Sequence, residues 1–375
     1  MAMKNVMGII YTGEKDSFLR ELTLARAIAA MPVAGRYRVI DFLVSGLVNS
    51  GVKNVGVIMQ KNYHSLMDHL GSGKEWDLHG KNDGLYILPP FLTRENVGVY
   101  NGSLDALHSN FGYLRRSRQE YVLLCNSTIV FNANFEEMFE AHNRSGVDVT
   151  IMYTRNPDMR RPEYGTYFEI GADGLITDVE IDPTRPRYEN TCMEVFLLRK
   201  DLLMDLVDRG AAHGYHDMQR DVFQRLIRDA GMRVGGYEYK DVCYRMDSVQ
   251  SYFKFNLDVI DPKIRHALFR EDNPVYTKVR DELPARYLEN AKVVHSIVAD
   301  GCIVDGTVEN CVLFRGVKIA SGAKVKNCVI MQDSQIEEGV QLENCILDKQ
   351  AIIKRDGRLI GPNAYPIVIS KDMTI

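Results

Sequence analysis

The sequence predicts an α/β domain on a mixed, mostly parallel sheet, followed by a C-terminal parallel β-helix. Two observations carry this. Over the first two-thirds of the 375 residues, apolar runs of strand length alternate with segments of helical period. After Asn290 the helical period ends, and Asn310-Cys311-Val312, Asn327-Cys328-Val329 and Asn344-Cys345-Ile346 recur every 17 residues. A fixed period near 18, built from six-residue steps, is the mark of stacked β-helix coils.

The elements follow in order. Val6 to Tyr11 is a buried strand, and Phe42, Leu43, Leu47 and Val48 repeat at helical spacing until Gly51. Asn54 to Met59 reads as a strand, Tyr63 to Leu70 as a helix, and Gly102 to Arg115 as a helix with Leu104, Leu107, Phe111 and Leu114 on one face. Tyr121 to Cys125 is a strand, Phe135 to His142 a helix and Val147 to Tyr153 a strand. Tyr167 to Ile170 and Leu175 to Ile181 form a hairpin through Ala172-Asp173-Gly174. Helices are expected over Asp201 to Asp208, Asp221 to Asp229 and Ser248 to Asp258, with a strand from Arg233 to Tyr239. Three prolines make 261–284 read as a linker. The domains are therefore 1–260 (α/β), 261–290 (linker) and 291–375 (β-helix).

Hydrophobic content of 45%, charged content of 26% and a net charge of −4 suit a soluble protein. They give no reason to expect nucleic acid or membrane as a partner. Seven scattered cysteines without a CxxC pair, and no signal-peptide pattern, point to reduced thiols in the cytoplasm. The three coil cysteines read as stacked small hydrophobes rather than a metal ladder. His213 and His216 lack acidic partners at metal-ligand spacing, and no metal site is expected. Arg115-Arg116 and Arg160-Arg161 read as solvated faces.

The stretch after the first strand sits where phosphate-binding loops belong. Such loops need glycines for close backbone approach. Here one glycine, Gly13, is followed by Glu14 and Asp16, whose charges would repel a triphosphate.

The chain resembles the glucose-1-phosphate adenylyltransferases along essentially its whole length. The resemblance rests on Gly35-Arg36-Tyr37-Arg38-Val39-Ile40-Asp41-Phe42, Asn49-Ser50-Gly51, Gln60, His64-Ser65-Leu66, His69, Tyr100, Gly102, Asp105-Ala106, Tyr215-His216-Asp217 and Asp221. It implies a Rossmann-like nucleotidyltransferase domain and a left-handed, hexapeptide-repeat β-helix.

The same resemblance locates departures. Two loop glycines are Glu14 and Asp16, and the arginine that meets the triphosphate is Phe18. A phosphate-holding lysine is Ile28, and a glutamine pair near the adenine falls on Phe91 and Leu92. The two Mg²⁺ aspartates are Ser127 and Arg245, with Asp247 two residues on. The sugar-phosphate lysine is Asp182. Phe18 and Ile28 are expected to pack across the former site. Phosphoryl chemistry depends on positioning and on neutralising charge, so no catalytic residue is assigned and no cofactor is expected for this chain.

The pattern resembles the GlgD-type subunits, thought of as non-catalytic or regulatory. It implies a hetero-oligomer, such as a heterotetramer, with a catalytic subunit that uses Mg²⁺. Arg26 and Arg38 align with basic positions near a phosphorylated effector in related enzymes, and Arg36 joins them as a candidate. The plainer reading is that Arg38 pairs with Asp41. Two other classes stay open: an active nucleotidyltransferase for another sugar phosphate, and a β-helix acyltransferase using His295.

Overall fold

The computed structural model describes residues 3–13, 18–80, 83–90, 100–229 and 231–375. They group into two compact units. The first comprises Met1–Glu14, Phe42–Tyr244 and Glu271–Tyr276, the second Lys15–Asp41, Arg245–Arg270 and Thr277–Ile375. The division differs from a single break at residue 260, because Lys15–Asp41 and Arg245–Arg270 group with the β-helix.

The first unit is built on a nine-stranded sheet. Its strands are β1 (Val6–Tyr11), β2 (Val55–Ile58), β3 (Leu85–Leu88), β4 (Tyr121–Asn126) and β5 (Val149–Thr154), then β6 (Thr166–Ile170), β7 (Ile176–Ile181), β8 (Asn190–Arg199) and β9 (Val234–Glu238). The order is β7-β6-β8-β4-β1-β2-β3, with β5 beside β8 and β9 beside β5. β1 runs parallel to both β2 and β4, while β8 runs antiparallel to β4, β5 and β6. Every residue of β1 is buried, as a central parallel strand covered on both faces requires.

Helices α1 (Val39–Asn49), α2 (His64–Leu70), α3 (Ser103–Ser109), α4 (Phe111–Arg116), α5 (Glu136–Ser145), α6 (Lys200–Ala212) and α7 (Gln224–Asp229) alternate with these strands. The single helix expected over 102–115 is two. Asn110 leaves helical geometry at φ −103°, and its Nδ2 donates to the Ala106 carbonyl at 2.8 Å. A π-turn, Met218–Phe223, precedes α7.

In the second unit the coils stack as parallel strands. Val308 pairs with Val325, Val325 with Leu342, and Leu342 with Leu359. Asn310, Asn327 and Asn344 each turn a corner at positive φ (51°, 48° and 52°), where asparagine is among the few tolerated residues. Their amides bond along the stack, Asn310 Nδ2 to Asn327 Oδ1 at 2.8 Å and Asn327 Nδ2 to Asn344 Oδ1 at 3.2 Å. His295 takes the same corner at φ 45° and meets Asn310 Oδ1, a structural place in the first coil. Cys311, Cys328 and Cys345 are buried thiols in the coil core. Each fully buried aliphatic side chain there contributes about 1.5–3 kcal/mol.

Helix α8 (Val249–Asp258) lies against the coil strand Lys324–Ile330. The expected linker is not structureless. It holds α9 (Pro262–Leu268), started by Pro262 and capped by Asp261, whose Oδ1 accepts from Lys263 N at 2.8 Å. Coil pairing also begins before residue 291, with Arg286–Tyr287 against Ile303–Val304.

Candidate functional site

In the first unit, β1, β2 and β4 end together. Tyr11 is in register with Ile58 on one side and Asn126 on the other. The residues that follow, Gly13, Gln60 and Ser127, therefore share the carboxyl edge of the sheet, where open α/β sheets bind ligands. A Cβ on Gly13 would lie 2.4 Å from Tyr11 Oη and 2.8 Å from Gln60 Oε1. Those side chains close over the glycine, so only hydrogen fits there. Gln60 Nε2 is itself fixed by the Tyr100 carbonyl at 2.7 Å. Glu14, Asp16, Phe91 and Leu92 lie outside the described residues.

Several of the family-like residues hold this edge in shape. A Cβ on Gly102 would meet the His216 carbonyl oxygen at 2.3 Å, and Leu104 N donates to that oxygen at 2.9 Å. Asp221 accepts from His216 N and Asp217 N, each at 2.9 Å. Burial would raise the Asp221 carboxyl; those two backbone bonds, with Arg225 and His216 close by, hold it below the usual range.

The departures have defined surroundings. Ser127 is buried and offers a hydroxyl where related enzymes have a metal carboxylate. Beside it stands a residue that sequence reasoning missed. Val195 on β8 is in register with Cys125, which places Glu194 next to Asn126. Glu194 sits where β8 breaks register with β5, at φ +58° and 7% exposed. Its Oε2 accepts from Asn126 Nδ2 at 2.8 Å and from Thr128 Oγ1 at 3.3 Å, flanking Ser127 on both sides. Asp182 reverses the charge of the family lysine. It accepts from Gly165 N and from Arg220, each at 2.9 Å.

In the second unit Ile28 is buried, whereas Phe18, expected to pack across the former site, is 63% exposed. Arg245 is buried, and Asp247 is committed to the start of α8, accepting from Ser251 Oγ at 2.7 Å. The Arg245 guanidinium has no oxygen to offer Mg²⁺, and the Ser127 hydroxyl offers one without a carboxylate's negative charge. Among the described residues no group of three His, Cys, Asp or Glu is arranged to hold a metal. Arg160 and Arg161, expected to be solvated, are half-buried, and an Arg160 Nη donates to the Pro186 carbonyl at 3.1 Å.

The candidate effector arginines lie together in the second unit, in unequal states. Arg26 Nη2 is paired with Asp348 Oδ1 at 2.8 Å, both at 3% exposure or less. Arg38 is 9% exposed, and its backbone N donates to Asp41 Oδ2 at 2.9 Å. Arg36 is exposed. Two further cations belong with them. Lys349 is pushed down to about 7 by burial, then by Arg38 and Arg26, against the pull of Asp348. Arg315 is lowered by burial, then by Arg280 and Arg36. Cations that lower one another mark a local concentration of positive charge, which favours an anion, with Asp348, Glu282 and Asp300 acting against it.

A parallel-centred α/β sheet with a nucleotide-type carboxyl edge, in one chain with hexapeptide coils, defines a nucleotidyltransferase-class protein. Residues 7–256 match the nucleotidyl transferase family, and residues 283–365 the GlmU-like, C-terminal hexapeptide family. The chain is 35% identical to the glycogen biosynthesis protein GlgD of Bacillus subtilis (strain 168), over 100% of this chain and 98% of that protein. It is 36% identical to the GlgD protein of Geobacillus stearothermophilus, over 85% of this chain and 82% of that one. With the glucose-1-phosphate adenylyltransferase of Thermomicrobium roseum it shares 35% identity, over 80% of this chain and 71% of the relative. The chain belongs to the glucose-1-phosphate adenylyltransferase family, on the side of its GlgD proteins. Among the described residues no helix is long and apolar enough to cross a membrane.

Proposed function

We propose that this chain is a regulatory, catalytically impaired subunit of glucose-1-phosphate adenylyltransferase in glycogen biosynthesis. It joins a catalytic homologue that makes ADP-glucose from ATP and glucose 1-phosphate, and it changes that enzyme's kinetics. The observation that carries the reading is the pair Ser127 and Arg245. Arg245 cannot ligate the Mg²⁺ that nucleotidyl transfer uses to neutralise developing phosphate charge, and the neutral Ser127 hydroxyl cannot supply a carboxylate's charge to hold it. Mg²⁺ then serves the partner's site, and this chain needs no cofactor.

The reading is supported by what the molecule keeps. The first unit keeps its sheet and the Gly102–His216 joint, and the second keeps its coil stack. The cations around Lys349 give the chain something to sense: a phosphorylated metabolite held by Arg36, Arg38 and Lys349. Preferential binding to one state of the catalytic chain shifts that chain's apparent substrate affinity by the difference in binding energy. The test is co-expression of the two chains in a cytoplasmic host, mass by light scattering, and kinetics against the catalytic chain alone. Co-elution with altered kinetics is expected. Separate elution at micromolar concentration with unchanged kinetics would overturn the reading.

A further inference from the structure

We infer that Asn256 of α8 is a positioning residue for the second unit's anion site: it clamps a strained turn at Ala34 and so fixes Arg36 and Arg38 in place. This rests on the reading of those arginines as anion ligands, and adds what holds them.

A short hairpin carries the arginines. Pro32–Val33 pairs antiparallel with Tyr37–Arg38. The chain reverses between them through Ala34 and Gly35, at φ +50° and +81°. Glycine adopts such values freely. Alanine does not, because its Cβ crowds the following carbonyl oxygen. Gly35 has a further reason to be glycine, since a Cβ there would lie 3.2 Å from Ile297 Cγ2. Ala34 is therefore the strained member of the turn. Conformations of that kind persist where the surroundings over-determine them.

The surroundings here are one face of α8. Tyr252 and Asn256 stand four residues apart on it, and both are fully buried. Tyr252 Oη donates to the Pro32 carbonyl at 2.6 Å, where the hairpin starts. Asn256 Oδ1 accepts from Ala34 N at 3.0 Å, where it bends. The amide is itself aimed: its Nδ2 donates to the Tyr252 carbonyl at 2.9 Å. A carbonyl cannot donate, so the nitrogen must face Tyr252 and the oxygen Ala34. One helix face thus holds the hairpin at its entry and at its bend. Arg36 follows Gly35 directly, exposed beside the Tyr37 ring, and Arg38 ends the second strand. Without the clamp Ala34 relaxes toward negative φ, and the residues after it move with it. An anion then binds only the fraction of molecules in which the turn is still formed. The left-handed cost of alanine makes that a factor of about 5–30.

The test is calorimetry on the full chain with sulfate as probe, at low ionic strength and well below each melting temperature. Wild type, Asn256→Ala, Ala34→Gly and the double variant are compared, with melting followed in parallel. Asn256→Ala should bind sulfate about 5–30-fold more weakly. Adding Ala34→Gly should bring affinity back to within about twofold of wild type, because glycine turns there without the clamp. Ala34→Gly alone should bind as wild type does. A merely structural Asn256 would lower the melting temperature and leave sulfate affinity unchanged, and that result would overturn the inference. So would a weakening that Ala34→Gly fails to relieve. If Asn256→Ala does not fold, Tyr252→Phe, which removes the other bond alone, takes its place under the same criteria. A wild type that binds no sulfate would overturn the anion site and this inference together. Binding by wild type that the variants leave unchanged would overturn this inference and leave the site standing.

Discussion

The strand edge of the first unit and the cation cluster of the second differ electrostatically. At the strand edge of the first unit stand a buried carboxylate, Glu194, and a hydroxyl, Ser127, and the carboxylate of Asp182 accepts from Arg220. In the second unit cations cluster: Lys349 and Arg315 are both lowered by neighbouring arginines, and the buried Asp348 is paired with Arg26. On the proposed reading catalysis and ligand sensing are separable on this fold, since a carboxylate pair is needed for the first and positive charge for the second.

The largest expected effect tests the acidic side. The purified chain, with Mg²⁺, ATP and glucose 1-phosphate, should form ADP-glucose at least about a thousandfold more slowly than a catalytic relative, since single electrostatic contacts in such sites are each worth about 10²–10³. A coupled pyrophosphate assay reads this. Turnover near that of the relative would erase the contrast between the two regions.

Next in size is the buried ion pair that anchors the basic side. Asp348→Asn leaves the Arg26 guanidinium buried at about 3% exposure without its counter-charge. Breaking a buried pair from one side costs about 3–5 kcal/mol. Urea or thermal unfolding should show that loss, and a change under about 1 kcal/mol would mean that water reaches Arg26.

The third concerns assembly. Association with a catalytic homologue should change its apparent substrate affinity or turnover by about 5–150-fold, the range of a coupling of about 1–3 kcal/mol. Arg38→Ala should reduce the response of that complex to a phosphorylated effector while leaving co-elution intact. Loss of co-elution instead would make Arg38 part of an interface rather than of an anion site.

Much of this organisation is legible in the sequence, and the exceptions are instructive. The coil repeat is readable because Asn310, Asn327 and Asn344 mark left-handed corners that few other residues tolerate. The first strand is readable because β1 is apolar throughout. β8 is not, although it joins three strands. Its run Cys192-Met193-Glu194-Val195 is interrupted by a charge, and a glutamate inside a strand suggests solvent rather than a buried bond to Asn126. The losses at Ser127 and Arg245 stand out by resemblance, while Glu194 carries no signal of spacing. Lys349 is hidden differently: the Arg26–Asp348 pair beside it joins residues far apart in the chain, and no local pattern announces the cluster. Asp247 shows the converse, a carboxylate two residues from Arg245 that accepts from Ser251 in the first turn of α8.

The smallest effect, and the sharpest probe of the basic side, is the pH dependence of anion binding. Lys349 is held at about 7 by burial and by Arg38, Arg26 and Arg280, with Asp348 opposing. Below that value the cluster carries one more positive charge than above it. An anion of constant charge should therefore bind more weakly as pH rises from about 6 to 8, by up to about tenfold, the equivalent of one pKa unit. Sulfate is the suitable probe, since phosphate changes its own charge over the same range. Bound sulfate also raises the lysine's proton affinity, so binding near neutral pH should take up protons, which calorimetry in two buffers of different ionisation enthalpy detects. The sign for stability is fixed by the same shift. In the unfolded chain the lysine returns to about 10.4, so between about 7 and 10.4 the unfolded state binds more protons. This residue's contribution to stability then rises with pH across that window and is flat below it. Lys349→Met should flatten the sulfate profile at the weak, high-pH level. Lys349→Arg should flatten it at the strong, low-pH level. A slope that survives both substitutions would place the titrating group elsewhere, and would leave the cations of the second unit as a fixed field rather than one tuned near neutrality.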